Sequence, residues 1–539
     1  MSRESAAQLL TSYGPAHREL IASTNTVSRV QEAVLHDILR RNETTWFGVT
    51  HGFSGITTTD DFRTRVPIAS YDDYRPAITR IAQGDERVLV AEPSWLQPTS
   101  GSTSGPKSIP FTASLKQELL NAVRPWLYDL YTHIPALGDG VAYWSITPLD
   151  PREDTASPVG FANDLEYFEP IDLSFLKDLI LIPDGASSTT DWESYRFITL
   201  LALLRAPKLR MVSVWNPSFL SVLLDGVASH EPELERSLRT GRLPEWIRTR
   251  EPSQHTFEPD EARADTFRTN METPVGTGDV YSRLFPDLAL ISCWTHAQSE
   301  RYARHLSERF PEVPVQGKGL FATEGVVSIP LFGLAAPLLA VTSHFYEFLD
   351  TQGQSVLAHE LTQGDTYEVL LTTSGGLYRY RLNDVVRVEG FLNEAPLLRF
   401  MGRADATVDL FGEKLNEGIV RDTVETVLAR HGCEAWFFLV APEEECGSTA
   451  YTLFVEWAGK PPDADRIAYE CDTLLRKHYH YDHCRRIGQL QTFALVRVTD
   501  GARAYLDAIG KRGRRLGDIK PPVLDGRTGW KHVFTIADD

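Results

Sequence analysis

The rhythm of hydrophobic and polar positions changes along the chain, and with it the elements it predicts. The stretch up to Arg40 reads as mainly helical. From Thr366 the pattern turns to strands: TYEVLLTT, then Ser374-Gly375-Gly376, then LYRYRLNDVVRVEGF, β segments broken by a glycine-rich turn. After MGRADA the chain starts again. Asn416 is positioned to cap a helix whose apolar positions Val420, Val424, Val427 and Leu428 share one face, and Gly432 supplies the stop signal. The runs AWFFLVAP and AYTLFVEW read as strands. A helix through Ile467 to Leu475, the strand TFALVRV and a short helix after Asp500 complete an α/β unit of domain size. The boundary is set near Arg403, giving a large unit over 1–402 and a smaller one over 403–539. The stretch from Glu251 to Gly278 is polar, acidic and poor in apolar periodicity, as expected of a solvated insertion.

Composition narrows the function classes. A chain of 539 residues exceeds what one hydrophobic core usually supports, and 42% hydrophobic with 24% charged residues is a globular balance. The formal charge of −19 disfavours a general polyanion-binding surface, since Lys511 to Arg515 is the only basic run, so no nucleic-acid partner is expected. Five cysteines without a CxxC pair argue against a disulfide framework or a zinc ribbon and fit a reducing compartment. The first residues lack the apolar core of a signal peptide, and no run reaches the roughly 18 apolar residues of a membrane span. The expectation is a cytoplasmic protein with no membrane association.

Four segments carry candidate chemistry. In LQPTSGSTSGPKSIPFT, glycines let backbone N–H groups approach a phosphate. The hydroxyls of Thr99, Ser100, Ser102, Thr103 and Ser104 around Gly101 add donors, and Lys107 adds a compensating charge. Its spacing is not that of a Walker A loop, and a flexible Ser/Gly turn has the same composition. Ser114 and Gln117 form a possible capping box for the helix that follows. In GLFATEGVVSIP, the Glu324 carboxylate beside Thr323 suits Mg2+ bound to a nucleotide, and Phe321 suits an adenine ring. The third segment, Tyr378 to Asp384, ends on a carboxylate able to accept two hydroxyl hydrogen bonds, as from a ribose diol. The fourth, GRADATVDLFGEKLNEG, spans the boundary near Arg403. Each segment alone also reads as an ordinary turn or solvated strand.

Taken in this order, the four segments resemble the adenylate-forming superfamily of acyl-CoA synthetases, luciferases and nonribosomal adenylation domains. The chain is more specifically similar to the Gretchen Hagen family of acyl acid amido synthetases. HGFSGITTTDDFRTRVPIASYDDYRPAITRI, LLTTSGGLYRYRLNDVVRVEGF and YEFLD carry that likeness, which runs from about Asn42 to the C-terminus. The resemblance implies an α/β fold: a large N-terminal adenylate-forming domain with mixed β-sheets and helices, and a smaller mobile C-terminal lid. It implies ATP and Mg2+, with a small-molecule carboxylic acid and an amine or amino acid as substrates, and a monomer. It assigns Thr99 to Lys107 to the β- and γ-phosphates, Thr323 to the α-phosphate, and Phe321 and Ala322 to the adenine region. Glu324 goes to Mg2+, Asp384 with Arg403 to the ribose, Asp405 to the pivot between domains, and Lys520 in GDIKPPVL to the catalytic lysine. Ala322-Thr323-Glu324 departs from the Ser-Ser-Glu usual in plants, so acid specificity does not transfer.

The implied reaction forms an acyl-AMP from acid and ATP and then an amide. An acyl-CoA synthetase sharing the first step, or a nucleotide-binding scaffold without activity, are the rival readings. Glu347 in YEFLD is a candidate base for the second step. Trp144, Phe161, Trp215, Phe219 and Trp294 are candidates for the acid pocket by composition, with core packing the competing role. His478, His480, His483 and Cys484, with Cys471 upstream, approach zinc spacing only loosely; solvent-facing histidines at a helix end are the commoner outcome.

Overall fold

A computed structural model describes residues 2–98, 107–145, 168–206, 208–249, 257–273, 280–445, 448–459, 463–510 and 520–537. The chain is of the α/β class. The N-terminal helix Ser2–Ser23 packs on the Ala113–His133 helix, and that helix and Val27–Asn42 pack on an antiparallel eight-stranded sheet. Its strand order is 355–357, 345–349, 366–372, 380–392, 395–403, 338–339, 325–329, 320–322. Beside it stands a parallel five-stranded sheet ordered 180–181, 141–144, 209–213, 290–293, 315–317, with its own core of Phe197, Leu201, Phe219, Leu223 and Phe267. Parallel strands need crossovers, and helices such as Trp192–Arg205 and Glu300–Arg309 supply them.

The last stretch builds a four-stranded sheet, 435–445, 448–457, 494–499 and 535–536, backed by the Glu417–Arg430 and Ala464–Leu475 helices around Val420, Val424, Val427, Ile467 and Leu475. Local signals set this unit. Asn416 caps its first helix by accepting the Gly418 N–H at 2.8 Å, and Gly432 adopts a φ of 61° just past its end. The unit rests on the larger body through Val222 and Tyr302, which share a core with Phe437 and Leu439, and through the Arg301 guanidinium 4.1 Å from the Phe438 ring centroid.

Two sequence-based expectations need correction. The helix after the Ser108–Thr112 strand is Ala113–His133, and its cap is Thr112, which accepts the Leu115 N–H at 3.0 Å; Ser114 lies inside the helix and receives a hydrogen bond from Arg41 instead. The polar stretch 251–278 is not wholly a solvated insertion. Glu261–Glu272 is a helix that buries Ala264 and Phe267, and Arg263 pins it to the carbonyls of Leu204 and Leu284 at 2.6 and 3.0 Å. Residues 251–256 and 274–278 lie outside the described residues. No helix among the described residues is long and apolar enough to cross a membrane.

Candidate active site

The site forms where the two larger sheets and the C-terminal unit meet. The loop of small residues grows from a hairpin, Ser94–Pro98 against Ser108–Thr112, in which Pro98 lies opposite Ser108. Thr99, Ser100, Gly101, Ser102, Thr103 and Ser104 themselves lie outside the described residues. The base of the loop is well held: Ser108 donates its N–H to the Tyr71 hydroxyl at 2.9 Å, and the Lys107 ammonium sits 5.3 Å from the Tyr71 ring centroid.

Thr323 and Glu324 are the two turn residues of the hairpin joining Leu320–Ala322 to Gly325–Ile329, with Ala322 opposite Gly325. A two-residue turn holds Glu324 rigidly at the sheet edge. Glu324 is 9% exposed. Burial pushes its pKa up, while the positive charges of Lys107 and Arg403 and the Tyr380 hydroxyl, donating at 3.5 Å, pull the other way. Lys107 and Arg403, distant in sequence, thus both bear on one carboxylate.

The Tyr380–Leu392 strand alternates its side chains between duties. Arg381 faces outward to Glu368, with bonds of 2.9 and 2.5 Å, whereas Tyr380 and Asp384 turn inward. Asp384 lies opposite Arg403 in the ladder, and Arg403 Nη1 donates to its Oδ1 at 3.4 Å. Burial raises the Asp384 pKa to about 6, against the pull of Arg403 and Lys520. Arg403 also clasps Asp405 with two bonds of 2.8 Å, and Asn383 reaches the same carboxylate at 3.3 Å. Burial disfavours the Arg403 cation, but the bonds to Asp405 and the charge of Asp384 outweigh it and raise its pKa.

Lys520 arrives from the C-terminal unit. Its ammonium lies 3.4 Å from the Trp294 ring centroid and 5.9 Å from that of Phe400, near enough for its charge to lower the pKa of Asp384. Val523, just beyond, donates its N–H to Glu417 at 2.7 Å, which ties this segment to the first helix of its unit. The structure therefore gathers Lys107, Glu324, Asp384, Arg403 and Lys520, with Thr323 on the turn and Asp405 behind Arg403.

Behind the turn lies an aromatic box. Phe321 and Ala322 are half-buried, and Phe321 packs against Trp126 at 6.1 Å and Trp215 at 5.9 Å; Trp215 in turn meets Trp294 at 5.6 Å, and Trp126 meets Trp144 at 6.3 Å. Trp144, Trp215 and Trp294 all sit at the C-terminal ends of parallel strands, the end at which open α/β sheets bind ligands. Sequence reasoning missed Lys318. This buried lysine donates to Ser213 Oγ at 2.6 Å and lies 5.3 and 4.8 Å from the Trp126 and Trp215 ring centroids. The signal was present, a lone lysine between two glycines directly before LFATE.

Other candidates fall elsewhere. Phe219 is core, packed against Trp192 and Tyr195, and Phe161 lies outside the described residues. Glu347 is no free base: Arg379 holds both its oxygens at 2.9 Å, and Ser355 donates to it at 2.5 Å. His478, His480 and His483 are exposed whereas Cys471 and Cys484 are buried among Ile467, Leu475 and Tyr481, so these groups do not converge. No cluster of metal-binding side chains occurs among the described residues.

Comparison with known proteins agrees along the chain. Residues 16–315 match the GH3 family N-terminal domain, 337–403 the GH3 family central domain, and 419–526 the GH3 family C-terminal domain. An indole-3-acetic acid-amido synthetase, GH3.15 of Arabidopsis thaliana, is 25% identical over 496 residues, covering 85% of this chain and 82% of that protein. A jasmonoyl–L-amino acid synthetase, JAR4 of Nicotiana attenuata, is 23% identical over 537 residues, covering 94% and 92%. Among solved structures, the GH3.15 acyl acid amido synthetase in complex with 2,4-DB superposes with a TM-score of 0.82 at 22% identity, over 96% of this chain and 95% of that one. A 2-hydroxyisobutyryl-CoA ligase in its postadenylation state reaches 0.53 at 11% identity, over 93% and 88%.

Proposed function

The chain belongs to the GH3 family, and from that membership and the geometry of its cleft we propose that it is an ATP-dependent ligase that activates a carboxylic acid as its acyl-AMP and transfers the acyl group to an amine, an amino acid by preference, releasing AMP and pyrophosphate. Relatives named as amido synthetases for indole-3-acetic acid and as jasmonoyl–amino acid synthetases support the reaction class. One observation carries it for this chain: two buried carboxylates, Glu324 and Asp384, share a cleft with cations drawn from the loop hairpin, the large sheet and the C-terminal unit.

The division of labour follows from the chemistry. A free carboxylate repels nucleophiles and has a poor leaving group; adenylation removes both obstacles by in-line attack of the acid on the α-phosphorus. The 99–104 loop and Lys107 would hold the β- and γ-phosphates, Thr323 the α-phosphate, and Phe321 with Ala322 the adenine. Asp384, braced by Arg403, would accept the ribose hydroxyls. Glu324 suits Mg2+, because a carboxylate disfavoured as an anion by burial gains most from an arriving cation. When bound, Mg2+ neutralises charge that builds on the phosphoryl oxygens. Lys520 would bridge the acid and the α-phosphate during this step alone. The unit over 403–539 would then turn about Asp405 to admit the amine, whose attack on the acyl carbon forms the amide and releases AMP. The aromatic box around Trp215 and Trp294 suits an acid with an aromatic or medium-length apolar body. We assign the protein to the cytoplasm, acting as a monomer.

The test is pyrophosphate exchange into ATP over a panel of acids, followed by offering amino acids or CoA to the best acid. Acid-dependent exchange and an amide product are expected. Exchange with a thioester as the only product would mark an acyl-CoA synthetase, and no exchange with any acid would leave a scaffold.

A further inference from the structure

A run of buried hydrogen bonds joins the helix behind the phosphate loop to the turn that carries Glu324, and the reaction as described makes no use of it. It starts at Glu118 in the Ala113–His133 helix. The Glu118 carboxylate accepts the Ser374 N–H, with its two oxygens at 3.2 and 3.1 Å, and lies 2.8 Å from His344 Nδ1. His344 is fully buried, and its Nε2 is 3.1 Å from the backbone nitrogen of Val326. A backbone N–H can only donate, so Nε2 is the acceptor; Nδ1 therefore carries the proton and donates it to Glu118. The ring also leans on Gly325, where a Cβ would meet Nε2 at 2.7 Å and Cδ2 at 2.9 Å. His344 thus touches the two residues that directly follow Glu324.

The same helix grips a second part of the cleft. Its cap, Thr112, donates to the Ser374 carbonyl at 3.1 Å while Glu118 takes the Ser374 N–H, so both backbone groups of Ser374 are fixed from one helix. Ser374 opens the turn that leads into the strand of Tyr380 and Asp384. One helix therefore registers three things against each other: the loop hairpin in front of it, the Glu324 turn through His344, and the ribose strand through Ser374.

We propose that Glu118 and His344 are a positioning pair that sets the Glu324 carboxylate in register with the Ser108–Thr112 strand and the Asp384 strand. The proposal rests on reading Glu324 as the carboxylate for the nucleotide-bound cation. Neither residue touches substrate. A pair that merely stabilised the fold would weaken both half-reactions alike, whereas a positioning pair acts on the nucleotide step, the one that needs the cation on Glu324.

His344→Phe keeps a ring over Gly325 but neither accepts from Val326 nor donates to Glu118; His344→Gln retains both functions in one amide. For the folded His344→Phe protein, pyrophosphate exchange should fall at least about tenfold, the scale on which groups that orient metal ligands act. The KM for the magnesium nucleotide should rise, and Mn2+ binding in the presence of a non-hydrolysable ATP analogue should weaken by a similar factor. Conversion of synthetic acyl-AMP and amine to amide should stay within about twofold of the parent, and His344→Gln should recover most of the exchange. Equal losses in both half-reactions, or unchanged Mn2+ binding, would overturn the proposal. Should His344→Phe not fold, Glu118→Gln keeps the shape and removes the charge that anchors His344; a smaller loss confined to exchange and Mn2+ binding is expected, and unchanged values in both would overturn it. Full exchange in Glu324→Ala would instead refute the reading of Glu324 itself, and this inference with it.

Discussion

Asp384→Asn should make the protein more stable and less active at once, and the two effects have separate pH signatures. Asp384 is 6% exposed, and burial raises its pKa from 3.8 to about 6 despite Arg403 and Lys520. The native state therefore binds this proton more tightly than the unfolded chain does. Below about pH 4 the carboxyl is neutral in both states and costs nothing; as pH rises toward 6 the unfolded chain ionises first, and native stability is lost over that window. At about 1.4 kcal/mol for each tenfold difference in proton affinity, the rise from 3.8 to about 6 amounts to roughly 3 kcal/mol of destabilisation at pH 8. Asparagine keeps the shape and an acceptor for Arg403 without the charge. Denaturant unfolding of the nucleotide-free protein should show Asp384→Asn gaining up to about 3 kcal/mol over the parent at pH 8, with the gain vanishing near pH 4. Pyrophosphate exchange should drop by about 10²-fold, on the scale of losing one charge-assisted contact in an active site. In the parent, kcat/KM for ATP should fall on the acid side with an apparent pKa near 6. A loss of stability at pH 8, or a gain of equal size at both pH values, would refute this account of Asp384.

Three further outcomes are expected. Lys520→Ala should lose pyrophosphate exchange by about 10²–10³-fold yet still convert synthetic acyl-AMP and amine to amide; equal losses in the two assays would make Lys520 a structural residue resting on Trp294. Asp405→Pro, which fixes φ near about −65°, should spare one half-reaction and cripple the other, with Asp405→Ala as the control for releasing Arg403; parallel losses in the proline variant alone would exclude a pivot there. Glu347→Gln breaks a buried bidentate pair with Arg379 and should cost about 3–5 kcal/mol in unfolding experiments while lowering both half-reactions only through loss of folded protein; a selective loss of amide formation would restore Glu347 as a base.

What could be read from the sequence was whatever chemistry is local. The Glu417–Arg430 helix carries its cap at Asn416 and its stop at Gly432, so it was legible to within a residue or two. The strands on either side of Ser374-Gly375-Gly376 were equally plain, because period-two patterning and a glycine turn need no partner to be recognised. Long-range choices were not legible. Thr112 and Ser114 are both good caps by type, and what favours Thr112 includes a hydrogen bond to Ser374, 262 residues away. The Glu261–Glu272 helix buries only two side chains, too few to lift its pattern above a polar background. Composition could not separate Phe219, a core ring, from Trp294, which meets Lys520 at the cleft. Glu347 looked reactive because a sequence does not print its partner, and Arg379 lies 32 residues on. The Glu118–His344 contact spans 226 residues and joins two side chains with no motif around either.

Coupling of acid adenylation to amide formation leaves its mark in the product stoichiometry. The protein would be incubated with ATP, Mg2+, a panel of aromatic and aliphatic acids and a mixture of amino acids, and nucleotide, pyrophosphate and acyl products would be quantified together by mass spectrometry. One AMP and one pyrophosphate are expected for each amide, and free acyl-AMP when the amino acids are left out. Formation of ADP and phosphate with the amide, or an amide that appears without any AMP, would contradict that coupling.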